Sequence, residues 1–339
     1  MKKFSSSEKY TPKGIVLVPS YNCNAKCMHC NNDAEKHDLS LKMDINKAIE
    51  IIREAKDYGL NSLQITGGEI TMYPEFIPPV ISAARQMAVR VNKPPTNCYI
   101  ASRPKEANLF FRKLKQTGYT GGFRVSIDPY HQAYVPLHTA ADFISIYSSY
   151  FKVSSLTIGS CYYDAKRIFS MYDELGTLLK KRGFRNFSVD KSKKSIYADG
   201  QRIKYGMWMP TRPSRKPLKD EEVLLKKIDR TKPCLGSEGL AYLWIEPDFK
   251  VRVCSGNGNG FLDCYVAGDL KKETIEQTVA GIRRSRIFNI LAGYGPAGLR
   301  DALKEKGITM DYDKKYSFMC ELCNEITGKK EFRELLEKE

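Results

Sequence analysis

The chain has 339 residues, 42% hydrophobic and 28% charged, and its 55 lysines and arginines against 39 acids give a formal charge of +16. No apolar run approaches the ~18 residues of a membrane-spanning helix, so a membrane protein is not expected. No low-complexity tract suggests a fibrous or disordered chain.

Residues 1–12, beginning "MKKFSSSEKY", read as an N-terminal extension; no hydrophobic stretch follows the basic start, so a secretory signal is not expected. "GIVLV" (14–18) is a continuous apolar run, as expected for a strand buried on both faces of a parallel sheet. It leads into "YNCNAKCMHC" (21–30). A helix follows over 45–58, with Ile45, Ala48, Ile49, Ile52 and Ala55 on one stripe, Asp44 as cap and Gly59 as stop. "SLQIT" (62–66) is a second strand, followed directly by "GGE". The alternation continues with a helix near 76–90, the strand 97–102, a helix near 105–117 and the strand "FRVSID" (123–128). A helix near 140–151, the strand 155–160, a helix near 166–182 and a sixth strand, "NFSVD" (186–190), complete it.

Six such units predict an α/β fold over 13–190, a right-handed parallel sheet that is open or curled into a partial barrel. Chemistry in such folds sits at the carboxyl ends of the strands, where the cysteine loop, GGE and "SID" all fall. Residues 191–232 are rich in Pro, Lys and Arg and read as a basic connecting segment with one helix over 219–229. A second, cysteine-bearing domain is expected over 233–339.

Ten cysteines without a secretory signal point to a reducing, cytoplasmic setting and to metal or catalysis. The C-x3-C-x2-C of Cys23, Cys27 and Cys30 can hold three irons of a 4Fe–4S cube and leave the fourth open. The alternative is structural zinc, with His29 or a distant residue as fourth ligand.

With its trio directly after the first strand and TGGE at the end of the second, the chain resembles the radical SAM enzymes. The resemblance implies a partial (β/α)6 TIM barrel and an iron that chelates the amino and carboxylate groups of S-adenosylmethionine. One electron, from an external donor of the flavodoxin or ferredoxin type, would then release a 5′-deoxyadenosyl radical that abstracts a substrate hydrogen. It further implies that Thr66, Gly67, Gly68 and Glu69 meet the methionine end, with Glu69 accepting from its ammonium. Ser126 and Asp128 would bond ribose, His29 would stack beside adenine, and Gly159 stands for a glycine-rich fifth-strand element.

"CLGSEGLAYLWIEPDFKVRVC" (234–254) resembles the hairpin that opens the twitch and SPASM extensions of this family, with Phe249 in place of the usual glycine. With "CELC" (320–323) it implies a smaller C-terminal α+β domain in which Cys234, Cys254, Cys320 and Cys323 hold a second, fully ligated 4Fe–4S cluster. Zinc is again the alternative on spacing. Three cysteines are left over. Cys98 reads as a small buried hydrophobe. Cys264, in a glycine-rich loop, is the candidate hydrogen-atom donor, and Cys161, after the fifth strand, the second.

The function so implied is modification of a ribosomally made peptide, by epimerisation or by thioether or carbon–carbon crosslinking. The basic stretch 180–232 suits an acidic precursor. A small-molecule oxidoreductase of the twitch type is the alternative. RNA modification ranks below it, since no RNA-binding motif with interleaved aromatics appears.

Overall fold

The computed structural model describes residues 10–30, 32, 37–162, 164–208, 225–228, 234, 240–254 and 263–338. Strand β1 (Gly14–Leu17) is buried along its whole length because it has a parallel neighbour on each side. On one side lies β2 (Ser62–Ile65), with Ile15 opposite Leu63, and β3 (Arg90–Val91) follows it in parallel. A second sheet continues the curve with β4 (Pro95–Thr96), β5 (Arg124–Ser126) and β6 (Thr157–Cys161), again all parallel. Helices alternate with these strands as the apolar stripes require: α1 (Ile45–Asp57), α2 (Ile77–Gln86), α3 (Pro104–Gln116), the short α4 (Pro129–Gln132), α5 (Leu137–Ser148) and α6 (Ala165–Lys180). Asp44 caps α1 as expected, its side chain accepting from the Lys47 amide at 2.8 Å.

Three elements differ from the sequence reading. The expected strand 97–102 is a 3-10 turn over Tyr99–Ser102, because Cys98 has a left-handed φ of 74° and extended backbone cannot run through it. The sixth parallel strand is not 186–190. Phe187–Asp190 (β7) and Ser195–Ala198 (β8) form an antiparallel edge ribbon, and β9 (Gln201–Trp208) takes the place beside β6, from Thr157↔Lys204 to Cys161↔Trp208. Ile203 and Tyr205 of β9 face the helices while Lys204, Gly206 and Trp208 are exposed, so no continuous apolar run marks it. The parallel sheet therefore extends into the segment read as a connection. Most of the helix expected over 219–229 lies outside the described residues, and Lys226–Lys227 (β10) is a strand.

On the free side of β1, Tyr242–Ile245 (β11) pairs in parallel from Gly14↔Tyr242 to Leu17↔Ile245. Lys250–Arg252 (β12) and Val266–Asp269 (β13) extend that edge antiparallel. The cysteine-bearing hairpin is thus continuous with the barrel's own sheet. Phe249, where glycine is usual, turns the hairpin at a φ of 70° with its amide on the Glu246 carbonyl. The chain ends in α7 (Ile275–Arg284), α8 (Arg286–Glu305, kinked at Gly295–Pro296), a short strand β14 (Lys315–Tyr316) against β10, α9 (Met319–Thr327) and α10 (Lys330–Glu337). Ile15, Leu17, Leu63 and Ile65 belong to the main core with Ile51 and Ile52 of α1, whereas Val16, Val18, Tyr21, Tyr242 and Trp244 form a second cluster on the opposite, concave face.

Candidate metal centre and active site

The cysteine loop leaves the carboxyl end of β1 and lies against the TGGE turn at the end of β2. The Gly68 amide donates to the Ser20 carbonyl at 3.0 Å and the Glu69 amide to that of Asn22 at 2.9 Å. A Cβ on Gly68 would fall 2.1 Å from the Asn22 carbonyl oxygen, and one on Gly67, at φ 144°, 2.4 Å from that of Ser20. These glycines let two backbones touch. Thr66 pins the same turn to β1 through its amide on the Leu17 carbonyl, and the Asn32 side chain donates to the Gly67 carbonyl.

Within the loop, the Cys30 amide donates to the Cys27 carbonyl and Cys23 Sγ accepts from the Ala25 amide at 3.4 Å. Burial pushes the Cys27 thiol well up, and the neighbouring Cys30 and Cys23 charges push it further. In this setting the Cys27 thiol stays protonated unless a cation sits beside it.

Both acids of the candidate site are already engaged. Glu69, 4% exposed, accepts from the Thr71 amide and hydroxyl, the Thr96 hydroxyl and the Asn97 amide, at 2.6–3.0 Å. Asp128, fully buried, accepts from the Tyr130 and His131 amides, His131 Nδ1 and the Cys161 amide, at 2.9–3.1 Å. A carboxylate offers about four lone-pair positions. Three of Glu69's four hydrogen bonds fall on Oε1 and one on Oε2, and those of Asp128 divide two and two; each acid ties strand ends together. Burial would raise Asp128, but the His131 charge and hydrogen bond, with His29, hold it below the ordinary carboxylate range. Half-buried Ser126, two positions earlier on the same strand face, remains the ribose candidate.

His29 packs 4.8 Å from both Tyr130 and His131, ring centre to ring centre, and its buried Nδ1 has no partner among the described residues. Burial, then the His131 charge, lowers its pKa to about 4, so the imidazole is neutral at neutral pH. His131 escaped the sequence reading, although Asp-Pro ahead of "YH" is the signature of a capped turn. At Gly159 a Cβ would meet the Trp208 ring at 2.8 Å.

The second cysteine set converges. Cys234, Cys254, Cys320 and Cys323 line one small cavity with Leu240, Leu291 and Pro296. Burial raises the Cys320 thiol strongly, followed by the charges of Cys254, Cys323 and Cys234. Two polar groups missed in the sequence border the same cavity. Tyr265 Oη lies 3.1 Å from Cys323 Sγ and 2.8 Å from Thr327 Oγ1, and Asn324 Nδ2 is buried with no partner among the described residues. An unpartnered donor beside four thiols suits a cluster that carries sulfide acceptors.

The two spare thiols separate. Cys264 Sγ lies 3.8 Å from the Thr327 carbonyl, in a pocket lined by Ser285, Phe288, Arg333 and Glu337 of the C-terminal helices, and its charge is felt at Cys323. It is not brought to the barrel mouth. Cys161 is: its amide donates to Asp128, and alternation along β6 turns its side chain to the concave face, opposite Ser160, which bonds Tyr172 of α6. Cys98 is fully buried, as expected of a small core residue.

Residues 17–129, which span the cysteine loop, the GGE turn and Asp128, match the Radical SAM superfamily. They form a radical SAM domain, and the protein is an enzyme. The fold aligns with the structure described as "Native anSMEcpe with bound AdoMet" at a TM-score of 0.52 and 13% identity, covering 96% of this chain and 97% of that one. It aligns with "Native anSMEcpe with bound AdoMet and Cp18Cys peptide" at 0.51 and 13%, over 96% of each. At that identity the likeness is one of fold. No curated protein matches the chain. Among the described residues no helix is long and apolar enough to cross a membrane.

Proposed function

We propose that the protein cleaves S-adenosylmethionine reductively in its radical SAM domain and modifies a peptide, by epimerisation or crosslinking, in the reducing cytoplasm. The observation that carries this reading is the three-cysteine loop locked onto the GGE turn. A 4Fe–4S cluster held by Cys23, Cys27 and Cys30 would supply the electron that turns S-adenosylmethionine into a hydrogen-abstracting 5′-deoxyadenosyl radical. The protein's part is orientation. The Gly67–Gly68 backbone flanks the methionine end, Ser126 faces ribose and neutral His29 offers a ring face to adenine. Glu69 and Asp128 act one step back, as positioning residues that fix the strand ends.

A second 4Fe–4S cluster would sit among Cys234, Cys254, Cys320 and Cys323, within reach of Tyr265 Oη and Asn324 Nδ2. This region corresponds to the twitch-like extension, and its electrons would come from a flavodoxin- or ferredoxin-type donor. Cys161, at the barrel mouth, replaces Cys264 as the candidate hydrogen-atom donor. Peptide as substrate is supported by a neighbour of the same fold that was solved with one bound.

The test is anaerobic reconstitution followed by mass spectrometry for 5′-deoxyadenosine, with dithionite, S-adenosylmethionine and candidate peptides. Formation of 5′-deoxyadenosine together with a peptide mass or stereochemical change is expected. Intact S-adenosylmethionine in every mixture would end the proposal.

A further inference from the structure

The four-cysteine site carries a closed ring of hydrogen-bonding groups. Cys323 and Thr327 stand one turn apart on the same face of α9, and the Thr327 hydroxyl donates back to the Cys323 carbonyl at 2.8 Å. That uses the one proton Thr327 has. Its oxygen still accepts, and Tyr265 Oη lies 2.8 Å from it and 3.1 Å from Cys323 Sγ. Tyr265 also has one proton, with two acceptors in reach, so the state of the sulfur decides where that proton goes. A protonated Cys323 donates its S–H to the phenol, and the phenol donates to Thr327. A thiolate has no proton to give and takes the phenol's instead, because it is the more negative of the two acceptors.

The phenol is held in place for this exchange. Tyr265 ends the 3-10 turn Asp263–Tyr265 and leads into β13, and its carbonyl accepts the Val253 amide at 3.1 Å, one residue before Cys254. Its backbone is thus tied beside one cysteine of the set, and its hydroxyl to the helix that carries two others. The Tyr265 ring is 3% exposed and Cys323 is 8% exposed. Burial keeps water from replacing the donor, and a bond in such a setting counts for more than one at the surface.

We infer that Tyr265 is a positioning residue of the second site, whose hydroxyl donates to the Cys323 thiolate and makes the cluster there easier to reduce. The inference rests on the second-cluster reading above and adds the residue that sets the potential. Reduction adds negative charge that spreads onto the cysteine sulfurs. A hydrogen bond to one of them therefore strengthens on reduction and favours the reduced form.

The test is a potentiometric titration followed by electron paramagnetic resonance, on the reconstituted wild-type protein and three variants. Tyr265→Phe keeps the ring and removes the donor. It is expected to make reduction of the second cluster about tenfold less favourable, or about 59 mV lower for one electron, with the barrel signal unmoved. Thr327→Val, which removes only the competing acceptor, is expected to hold the potential or raise it. Tyr316→Phe deletes another buried hydroxyl, which bonds Glu325 of α9 at 3.0 Å, and should change the equilibrium by less than about twofold. An unchanged potential in Tyr265→Phe, with both clusters present, overturns the inference and leaves the cluster reading standing. An equal fall in Thr327→Val or Tyr316→Phe also overturns it, since lost packing would then explain the effect. A wild-type second site that binds zinc and no iron ends the cluster reading and the inference together.

Discussion

The barrel site takes its three cysteines from residues 23–30 of a single loop, whereas the C-terminal site gathers four from positions 234, 254, 320 and 323. In the first, order comes from backbone contact: two glycines let the GGE turn press on the loop, and the loop's carbonyls accept its amides. In the second, order comes from tertiary packing, since β12 and the helices α8 and α9 must dock before the four sulfurs share a cavity. On the function proposed above, three ligands would leave a metal corner for a cosubstrate, while four would close it. The comparison teaches that openness is set by ligand count and by a loop geometry that does not depend on the far end of the chain.

The most severe way to break this contrast is through the ligands themselves. Cys27→Ala is expected to abolish 5′-deoxyadenosine formation and lower iron from about eight to about four per chain. Cys320→Ala should lose a similar amount of iron while the near-400 nm absorbance and S-adenosylmethionine binding of the barrel site persist. Iron analysis and calorimetric binding on the two variants check this, and loss of all iron in either would mean that the sites are not independent.

A milder break is Gly68→Ala, which drives a methyl into the Asn22 carbonyl. The turn must shift by more than an ångström, so S-adenosylmethionine affinity is expected to fall on the order of tenfold or more, with the C-terminal iron untouched. A thermal melt and binding titration read both, and wild-type affinity would show that contact between the two turns is not what shapes the site.

The same contrast explains what the sequence made legible. β1, β2 and five helices follow from apolar runs and stripes, because a strand buried on both faces and a helix buried on one leave an unmistakable period. β9 does not, because Lys204 and Gly206 occupy the face that a buried strand would keep apolar. The four-residue run Tyr242–Ile245 carried the signal of a central parallel strand, being buried throughout, yet a hairpin motif masked its partnership with β1. The cysteines were readable as chemistry in both sites. The acids were readable only as types: nothing in "GGE" or "SID" tells that Thr71, Thr96, Asn97, His131 and Cys161 will bond to them. The far ends of such contacts lie up to 33 residues away, and only the fold brings them in.

The most direct measurement is electron paramagnetic resonance on the dithionite-reduced, reconstituted protein, recorded with and without S-adenosylmethionine. An open corner at one site and a closed second site predict two cluster signals, of which one shifts on addition and disappears in Cys27→Ala, while the other stays fixed. A spectrum that S-adenosylmethionine leaves wholly unchanged would contradict the account.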